Sequence, residues 1–244
     1  MAADAYNQYR EGIVIIETAG IKFVVDNDIE RYRAETLLTK EPGTIRWLDR
    51  MGPGDVLYDV GANIGCYTLY AAKRGVKVYA FEPHVGNAWK LMQNIATNGL
   101  AGKVSVFTSP LHKERGFGDF FYISTKSGSS GSQLGHTQSE NGREFKAEAV
   151  ESKYALTLDD FGIPKDGYIK IDVDGNEASI LRPVASTLRR AKSIQVEIHP
   201  GVDAEPLLPG FKLVERHYTS NGQKQLDAGV PAEQITHNGV FERV

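Results

Sequence analysis

The 244-residue chain lacks the features that mark extracellular, membrane-spanning and nucleic-acid-coating proteins. Its one cysteine, Cys66, excludes an internal disulfide and any metal knuckle built from paired cysteines. No apolar run approaches the ~18 residues of a membrane-spanning helix, and the polar residues 1–12 do not resemble a secretory signal. A net charge of −3 provides no broad basic field for coating nucleic acid. These absences predict a cytoplasmic, soluble protein with no transmembrane segment and no nucleic-acid partner.

The composition is that of a folded domain. Hydrophobic residues make up 41% of the chain and charged residues 24%, close to the averages of soluble globular proteins. A chain of this length buries most of its apolar surface without help from a disulfide or a metal. The proline and glycines of residues 51–55 predict a boundary between an N-terminal accessory layer, 1–51, and a main domain, 52–244.

The accessory layer is predicted to be a hairpin followed by helices. Residues 11–28 alternate β-branched side chains around Ala19-Gly20, which is typical of a hairpin. Residues 29–51 change to a helical spacing of apolar side chains, interrupted at residues 41–43.

The main domain alternates short apolar runs with amphipathic segments. This alternation predicts βαβ units and a mostly parallel sheet, in which Pro183 splits the helix after the fourth strand. The last two runs, 211–218 and 238–244, have no helical pattern between them and are predicted to pair antiparallel at one edge. The predicted parallel strands are 55–60, 77–81, 103–107, 168–173 and 193–198.

The segment 124–148 departs from this alternation. Eleven of its 25 residues are Ser, Gly or Asn, which predicts a mobile loop. Long loops in compact domains are usually functional or disordered. Because this connection passes over the carboxyl ends of the parallel strands, we expect it to act as a lid on the acceptor side of a bound ligand.

The sharpest signal is the strand, glycine turn and helix of residues 57–75. Glycines at such a turn let a ligand approach the backbone, and the helix that follows offers N–H groups to an anion. The spacing is G-x-x-x-G, with Asn63 where a dinucleotide fingerprint has its second glycine. Asp59 adds a carboxylate, which repels phosphate and suits a cationic ligand. S-adenosylmethionine, with a sulfonium, an ammonium and a carboxylate but no phosphate, fits both observations.

Glu82 ends the second predicted parallel strand. A carboxylate in that position accepts hydrogen bonds from both hydroxyls of a ribose, in a methyl donor or in NAD. The glycine spacing, rather than Glu82, favours the methyl donor. A simple strand terminator at Glu82-Pro83 is the alternative interpretation.

Three further polar side chains are predicted at the ends of the fourth and fifth parallel strands. Asp172 is expected to face the crevice, and Glu197 and His199, two residues apart, point to one face of their strand. Together they could bind a divalent metal or supply a general base, although satisfied polar strand ends fit equally well. Asp174 and Glu177 are explained more simply by turn chemistry and by the helix N-terminus. The remaining histidines include four that we expect on the solvated surface: His84, His136, His217 and His237.

Taken in order, these motifs resemble the FkbM family of S-adenosylmethionine-dependent methyltransferases, within the class I methyltransferase fold. The resemblance covers roughly residues 35–200. It implies a Rossmann-like, seven-stranded, mostly parallel α/β sheet with helices on both faces and the last strand antiparallel. It also implies O-methylation of a hydroxyl on a sugar, glycan or secondary metabolite. The motifs are KEPGTIRWL (40–48), YDVGANIGCYT (58–68), FEPHVGN (81–87), LTLDDFG (156–162), YIKIDVDGNEASIL (168–181) and IQVEIHP (194–200).

The resemblance also implies a set of residues around the methyl donor. It places Asp172 near the methyl group, where Asp172, Glu197 and His199 are the candidates for the catalytic base. At Ser109-Pro110 the chain departs from the small residue, such as Ala, that is more usual in the family. The implied donor contacts are Asp59, Gly61, Ala62, Asn63, Gly65, Thr68, Glu82 and Pro83.

Other functions stay open at this point. An NAD-type oxidoreductase is disfavoured by Asn63, and a non-catalytic cofactor-binding protein by the acids at three strand ends. A nucleic-acid methyltransferase commonly has a motif such as N-P-P-Y after its fourth strand to hold a flipped base, and this chain has IDVDGNE there. The sequence specifies neither the acceptor, nor a metal, nor an oligomeric state.

Overall fold

The structure, a computed structural model, describes residues 14–139, 142–162, 166–182 and 185–244. Strands and helices alternate over residues 56–107 and 167–198, as predicted for the main domain. The strands are β1 (Val14–Thr18), β2 (Ile21–Val25), β3 (Val56–Val60), β4 (Lys77–Phe81), β5 (Val104–Phe107), β6 (Gly116–Tyr122), β7 (Gln133–Leu134), β8 (Ala149–Ala155), β9 (Gly167–Ile171), β10 (Ala191–Ile198), β11 (Phe211–Tyr218) and β12 (His237–Arg243). The helices are α1 (Asp28–Glu35), α2 (Pro42–Leu48), α3 (Cys66–Lys73), α4 (Val85–Thr97), α5 (Glu177–Leu181), α6 (Ala185–Leu188) and α7 (Ser220–Asp227).

Seven strands form the central sheet, in the order β11-β12-β10-β9-β3-β4-β5. Neighbouring strands from β10 to β5 run parallel, whereas β12 is antiparallel to both β10 and β11. The predicted sheet with an antiparallel last strand is therefore confirmed. Strand β3 has β4 on one side and β9 on the other, so the strand order reverses there. The carboxyl ends of strands at such a reversal border the crevice where open α/β sheets bind ligands.

The sheet separates two hydrophobic layers because successive side chains of a strand point to opposite faces. Leu57 of β3 belongs to the first layer, and the next residue, Tyr58, belongs to the second. The first layer also contains Phe23 of β2 and Trp47 of α2, whose Nε1 donates a hydrogen bond to Ser193 Oγ at 2.9 Å. The predicted accessory layer therefore shares one core with the main domain, and the boundary at residue 51 stays a prediction.

The N-terminal elements follow the sequence prediction where the structure describes them. Strands β1 and β2 pair as a hairpin through Ala19 and Gly20, while residues 11–13 of the predicted hairpin lie outside the described residues. Pro183 also lies outside them, between α5 and α6. Within the described part of the chain, no helix has both the length and the apolar character needed to cross a bilayer.

The C-terminal region contains a helix that the sequence analysis did not predict. Strands β11 and β12 pair antiparallel as expected, but α7 lies between them. Its sequence, SNGQKQLD, has only one large apolar residue, so it lacks the stripe by which helices are detected. Thr219 caps it by accepting a hydrogen bond from Gly222 N at 3.0 Å. The prediction for His217 is also wrong, since its ring is buried against the backbone of Gly43.

The predicted loop 124–148 carries more structure than its composition indicates. Strand β7 lies within it and pairs with β6, which also pairs with β8 in a second, three-stranded sheet. Hydrogen bonds join the loop to the turn after β3, to α1 and to α4, and hydrophobic patterning does not reveal such contacts. Residues 140–141 lie outside the described residues.

Gly61 fixes how closely the ends of β3 and β9 approach one another. Asp172 N donates a hydrogen bond to Val60 O at 3.0 Å, which holds the two chain segments together. A Cβ on Gly61 would lie 1.7 Å from the carbonyl oxygen of Asp172, and the φ of Gly61 is +83°. Gly54 has a similar φ of +96° but has no neighbour within 4 Å of a Cβ.

We predict that Gly61→Ala lowers the free energy of unfolding by about 3 kcal/mol or more, because a steric clash adds to the left-handed backbone cost. Gly54→Ala has the backbone cost alone and should lose about 1 kcal/mol. Urea denaturation followed by circular dichroism measures both losses. Equal losses in the two variants would contradict the steric explanation.

Candidate active site

A crevice runs along the carboxyl ends of β3, β4 and β9 and consists of three adjoining cavities. The Lys40 cavity, of about 430 Å³, is lined by Lys40 and α1; the Glu82 cavity, of about 400 Å³, by Glu82; and the Phe81 cavity, of about 410 Å³, by Phe81. Gly61 lies in the wall of all three. The predicted donor contacts that line the crevice are Gly61, Ala62, Asn63, Glu82, Pro83 and Asp172.

The glycine turn after β3 is fixed by backbone hydrogen bonds. Gly61 N and Ala62 N both donate to Phe81 O, at 2.9 and 3.1 Å. Gly65 has a φ of +95°, and a Cβ there would lie 2.4 Å from Leu91 Cδ1. Helix α3 then begins without a side-chain cap, so its first amides are available to a ligand.

Asp59 and Thr68 lie beneath this turn and do not line the crevice. Asp59 is 1% exposed, and its Oδ2 accepts a hydrogen bond from Thr68 Oγ1 at 2.6 Å. Burial raises the pKa of Asp59, and the ammonium of Lys170, 3.8 Å from Oδ1, opposes that rise. Asp59, Gly65 and Thr68 therefore support the turn, and their direct contact with a donor stays a prediction.

Lys170 is the important residue that the sequence analysis missed. It lies on β9, is 1% exposed, and its Nζ is 2.9 Å from Asp172 Oδ2. Burial alone would lower the pKa of Lys170, but the carboxylates of Asp172 and Asp59 outweigh burial and raise it. The signal was a lysine inside the apolar run YIKIDV, since a buried charge requires a partner.

Asp172 lies at the centre of the crevice. Strand β9 ends at Ile171, two residues earlier than predicted, so Asp172 belongs to the turn beyond it. Asp172 lines both the Lys40 cavity and the Glu82 cavity. Burial would raise its pKa, but the ammonium groups of Lys170 and Lys40 outweigh burial and lower it. Asp172 is therefore an ionised carboxylate at neutral pH.

Glu82 is buried and accepts two backbone hydrogen bonds. Its Oε2 accepts from Asn63 N at 2.7 Å and its Oε1 from His84 N at 2.8 Å. Burial nevertheless raises the pKa of Glu82 to about 7. A polar ligand group approaching Glu82 thus meets a carboxyl group whose charge changes near neutral pH.

The surface position predicted for His84 is wrong, because the ring is 2% exposed. Its Nδ1 accepts a hydrogen bond from Asn87 N at 3.2 Å, which caps α4. Its Nε2 lies 2.8 Å from Ser124 O and donates to it, since the Nδ1 contact assigns the proton to Nε2. Burial lowers the pKa of His84, which favours this neutral form.

A strap, residues 127–133, passes across the mouth of the crevice. Ser129 O accepts a hydrogen bond from Asn63 Nδ2 at 2.9 Å, and Arg33 Nε donates to Gly128 O at 2.6 Å. The strap therefore joins the glycine turn to α1 through polar contacts.

Glu197 and His199 lie beside the crevice and do not line the three cavities. Glu197 Oε2 is 3.2 Å from His199 Nε2, and Glu177 Oε2 is 3.9 Å from the same nitrogen. Burial, followed by the charge of Asp172, raises the pKa of Glu197. Among the residues that the structure describes, two sets of side chains have ligand atoms within 4.8 Å of one another and could hold a hard divalent metal: Glu177, Glu197 and His199; and Asp172, Asp174 and Glu197.

Comparison with known proteins identifies the family. Residues 59–219 match the family model described as the methyltransferase FkbM domain. The hexuronic acid methyltransferase AglP of Haloferax volcanii is 28% identical over 196 residues, which cover 78% of this chain and 76% of AglP. The 31-O-demethyl-FK506 methyltransferase FkbM of Streptomyces tacrolimicus is 29% identical over 175 residues, 60% of this chain and 66% of that protein.

Solved structures support the fold. The tRNA m1G37 methyltransferase of M. jannaschii has a TM-score of 0.51 with 12% sequence identity, and the match covers 95% of this chain and 56% of that one. This likeness confirms the Rossmann-like methyltransferase fold. The family model spans well over half of the chain and confirms the resemblance seen in the motifs. The protein therefore belongs to the FkbM methyltransferase family and is a methyltransferase that depends on S-adenosylmethionine.

Proposed function

We propose that this protein transfers a methyl group from S-adenosylmethionine to an oxygen atom of a sugar, glycan or secondary metabolite. The observation that carries the proposal is Asp172, an ionised carboxylate in the crevice between the Lys40 and Glu82 cavities. The names of the two relatives agree with it, since one acts on a hexuronic acid and the other on an O-demethyl compound.

The residues of the crevice fit the parts of this methyl donor. Glu82 and the free face of the glycine turn suit a ribose and the atoms beside it. The Phe81 cavity suits a flat purine, because its walls include Phe81, Pro83 and Leu111. Ser109 and Pro110, where the chain departs from the family pattern, line the same cavity and would be neighbours of that ring.

The chemistry requires an acceptor hydroxyl to lose its proton as the new C–O bond forms. Positioning of the two reactants supplies much of the catalysis in such displacements. Asp172 is the first candidate for the base because it is ionised and lines the crevice. Glu197 and His199 are the other candidates, and a base whose pKa is raised toward neutrality accepts a proton more readily. A metal held by Asp172, Asp174 and Glu197 would instead orient the acceptor oxygen and make its hydroxyl more acidic.

The strap and the rest of the segment 124–148 suit the role of a lid over the acceptor. Closing such a lid excludes water from the displacement. Limited proteolysis with and without donor and acceptor, followed by deletion of residues 127–141, tests this role. Ligand-independent cleavage together with normal turnover by the deletion variant would exclude it.

An RNA acceptor is the alternative that the comparisons bring forward, since the solved structure described above acts on tRNA. The expectation that nucleic acid is not a partner therefore stays a prediction, as does a cytoplasmic location. The absence of a motif for holding a flipped base and the two relatives with small-molecule or sugar names favour the oxygen acceptor.

Mass spectrometry of donor turnover tests the proposed function directly. The purified protein is incubated with labelled S-adenosylmethionine and a panel of uronic acids, neutral sugars, hydroxylated polyketides and unmodified tRNA. We expect label on an oxygen of one sugar or polyketide. Label on tRNA alone would establish the alternative. Binding of NAD in competition with the donor would contradict the assignment of the crevice as a site for S-adenosylmethionine.

We predict that Asp172→Asn lowers kcat by ~10²-fold or more if Asp172 is the general base, with little change in the Kd of the donor. Steady-state kinetics and calorimetry measure the two quantities. A melting curve checks that the variant still folds when Lys170 has lost the charge of Asp172. Asp174→Asn is the matched control. It should leave kcat nearly unchanged for a direct base, whereas for a metal site it should reduce kcat as well. In the second case a chelator abolishes activity and magnesium or manganese restores it.

Glu82 also makes stability depend on pH in a predictable direction. Its folded-state pKa, about 7, lies above the ordinary glutamate value of 4.5, so near pH 6 the folded protein holds a proton that the unfolded chain releases. The stability gained from this proton is complete below pH 4.5 and is lost as pH rises through about 7.

We therefore expect the free energy of unfolding of the wild type, minus that of Glu82→Gln, to fall between pH 5 and pH 8. The fall should be about 1–3 kcal/mol, since one pKa unit corresponds to ~1.4 kcal/mol. Urea denaturation without donor at four pH values gives the difference, and Glu17→Gln on the surface of β1 is the control. A difference that stays constant with pH would contradict the raised pKa.

A further inference from the structure

The Lys40 cavity is the part of the crevice that ribose and purine binding do not explain. One side consists of the glycine turn and the first turn of α3, and the other consists of residues from the predicted accessory layer. Arg33 and Lys40 are the cationic members of that second side, and Lys170 forms the floor with Asp172.

The guanidinium of Arg33 has hydrogen-bond donors that the described residues do not use. Its Nε donates to Gly128 O at 2.6 Å. Within the described part of the chain, its two Nη groups make no hydrogen bond. The side chain is half-buried and lines the Lys40 cavity. A guanidinium with two parallel N–H groups toward a cavity matches the geometry of a carboxylate.

Lys40 is held at the same cavity by a buried carboxylate. Its Nζ lies 2.9 Å from Glu41 Oε1, and Glu41 Oε2 accepts hydrogen bonds from Thr44 and Asn238 at 3.2 and 3.1 Å. Glu41 is therefore fixed from the far side and positions the ammonium of Lys40, two of whose three N–H donors are left for another group.

The positive charges of Arg33 and Lys40 act on the same groups at the Lys40 cavity. Burial raises the pKa of Cys66, at the start of α3, to about 11, and both cations oppose this rise. Both cations also act on Asp172 in the same direction, and Arg33 disfavours the charge on Lys40. Two like charges that face one cavity favour an anionic ligand in it.

The Lys40 cavity is continuous with the Glu82 cavity at Gly61, Asn63 and Asp172. A donor with its ribose at Glu82 and its sulfonium near Asp172 has only its amino-acid part left to place, and that part ends in a carboxylate. We propose that Arg33 and Lys40 bind the α-carboxylate of the methionyl part of the donor. This inference rests on the proposed function, and it makes the accessory layer one wall of the donor site.

Two ligands that differ only in the amino-acid part test the inference. S-adenosylhomocysteine has the carboxylate, whereas 5′-methylthioadenosine keeps the adenosine and the sulfur without it. We expect Arg33→Gln and Lys40→Gln each to raise the Kd of S-adenosylhomocysteine about tenfold or more, because each removes a charge-assisted contact. The Kd of 5′-methylthioadenosine should change less than twofold, which also shows that the variants are folded.

Two controls keep the result specific. Arg31→Gln removes a cation from the exposed face of the same helix, where its partner is Glu35 at 3.7 Å, and should change neither Kd. Arg33→Lys keeps the charge and should restore part of the lost affinity for S-adenosylhomocysteine alone.

Calorimetry of the full chain distinguishes the outcomes. Equal losses for the two ligands, or no loss for either, would overturn the assignment of Arg33 and Lys40 and leave the proposed function intact. A wild-type protein that binds neither ligand would instead overturn the proposed function, and this inference with it.

Discussion

The buried ammonium of Lys170 holds the centre of this molecule together electrostatically. It lies between Asp59 at the end of β3 and Asp172 beyond the end of β9; Lys170 and Asp59 are buried, and Asp172 is partly exposed to the crevice. Removing one partner from such a group is costly, because it leaves an uncompensated charge in a medium of low polarity. The ammonium lets two carboxylates lie at adjacent strand ends, where like charges alone would repel one another. Thr68, as the hydrogen-bond donor to Asp59, then connects this pair to α3.

Different surroundings give the carboxyl groups in and beside the crevice different protonation behaviour. Asp172 faces cations and stays ionised, whereas Glu82 and Glu197 are buried with less compensation and hold their protons more strongly. A site with one permanently charged acid and others that titrate near neutrality can bind a cation and also accept a proton. The polar strap lines the Glu82 cavity together with Glu82 and Asp172, and none of its own residues adds a carboxylate.

The sequence predicts the fold well because β3, β4 and β9 each combine an apolar run with a terminal acid. It also predicts the glycine turn, because the backbone conformations of that turn require glycines, which are visible in the sequence. It does not predict the roles of Lys170, Arg33 or Lys40. Lys170 lies near Asp59 as well as its close neighbour Asp172, and Arg33 and Lys40 line one cavity with the glycine turn, so these roles depend on segments that the fold brings together. Helix α7 and the buried His84 are missed for a related reason, since each is stabilised by single capping hydrogen bonds that no hydrophobic period records.

The two glycines of the turn after β3 have a meaning for the evolution of this fold that is separate from ligand binding. Gly61 is required because the carbonyl oxygen of Asp172 occupies the space of a side chain, and Gly65 because its φ of +95° is one that residues with a side chain rarely adopt. Both constraints come from the protein itself. A descendant that no longer bound any donor would therefore still be under selection to keep both glycines for folding alone. In such a lineage, substitutions would first accumulate at positions without a packing role, such as the cations that face the Lys40 cavity.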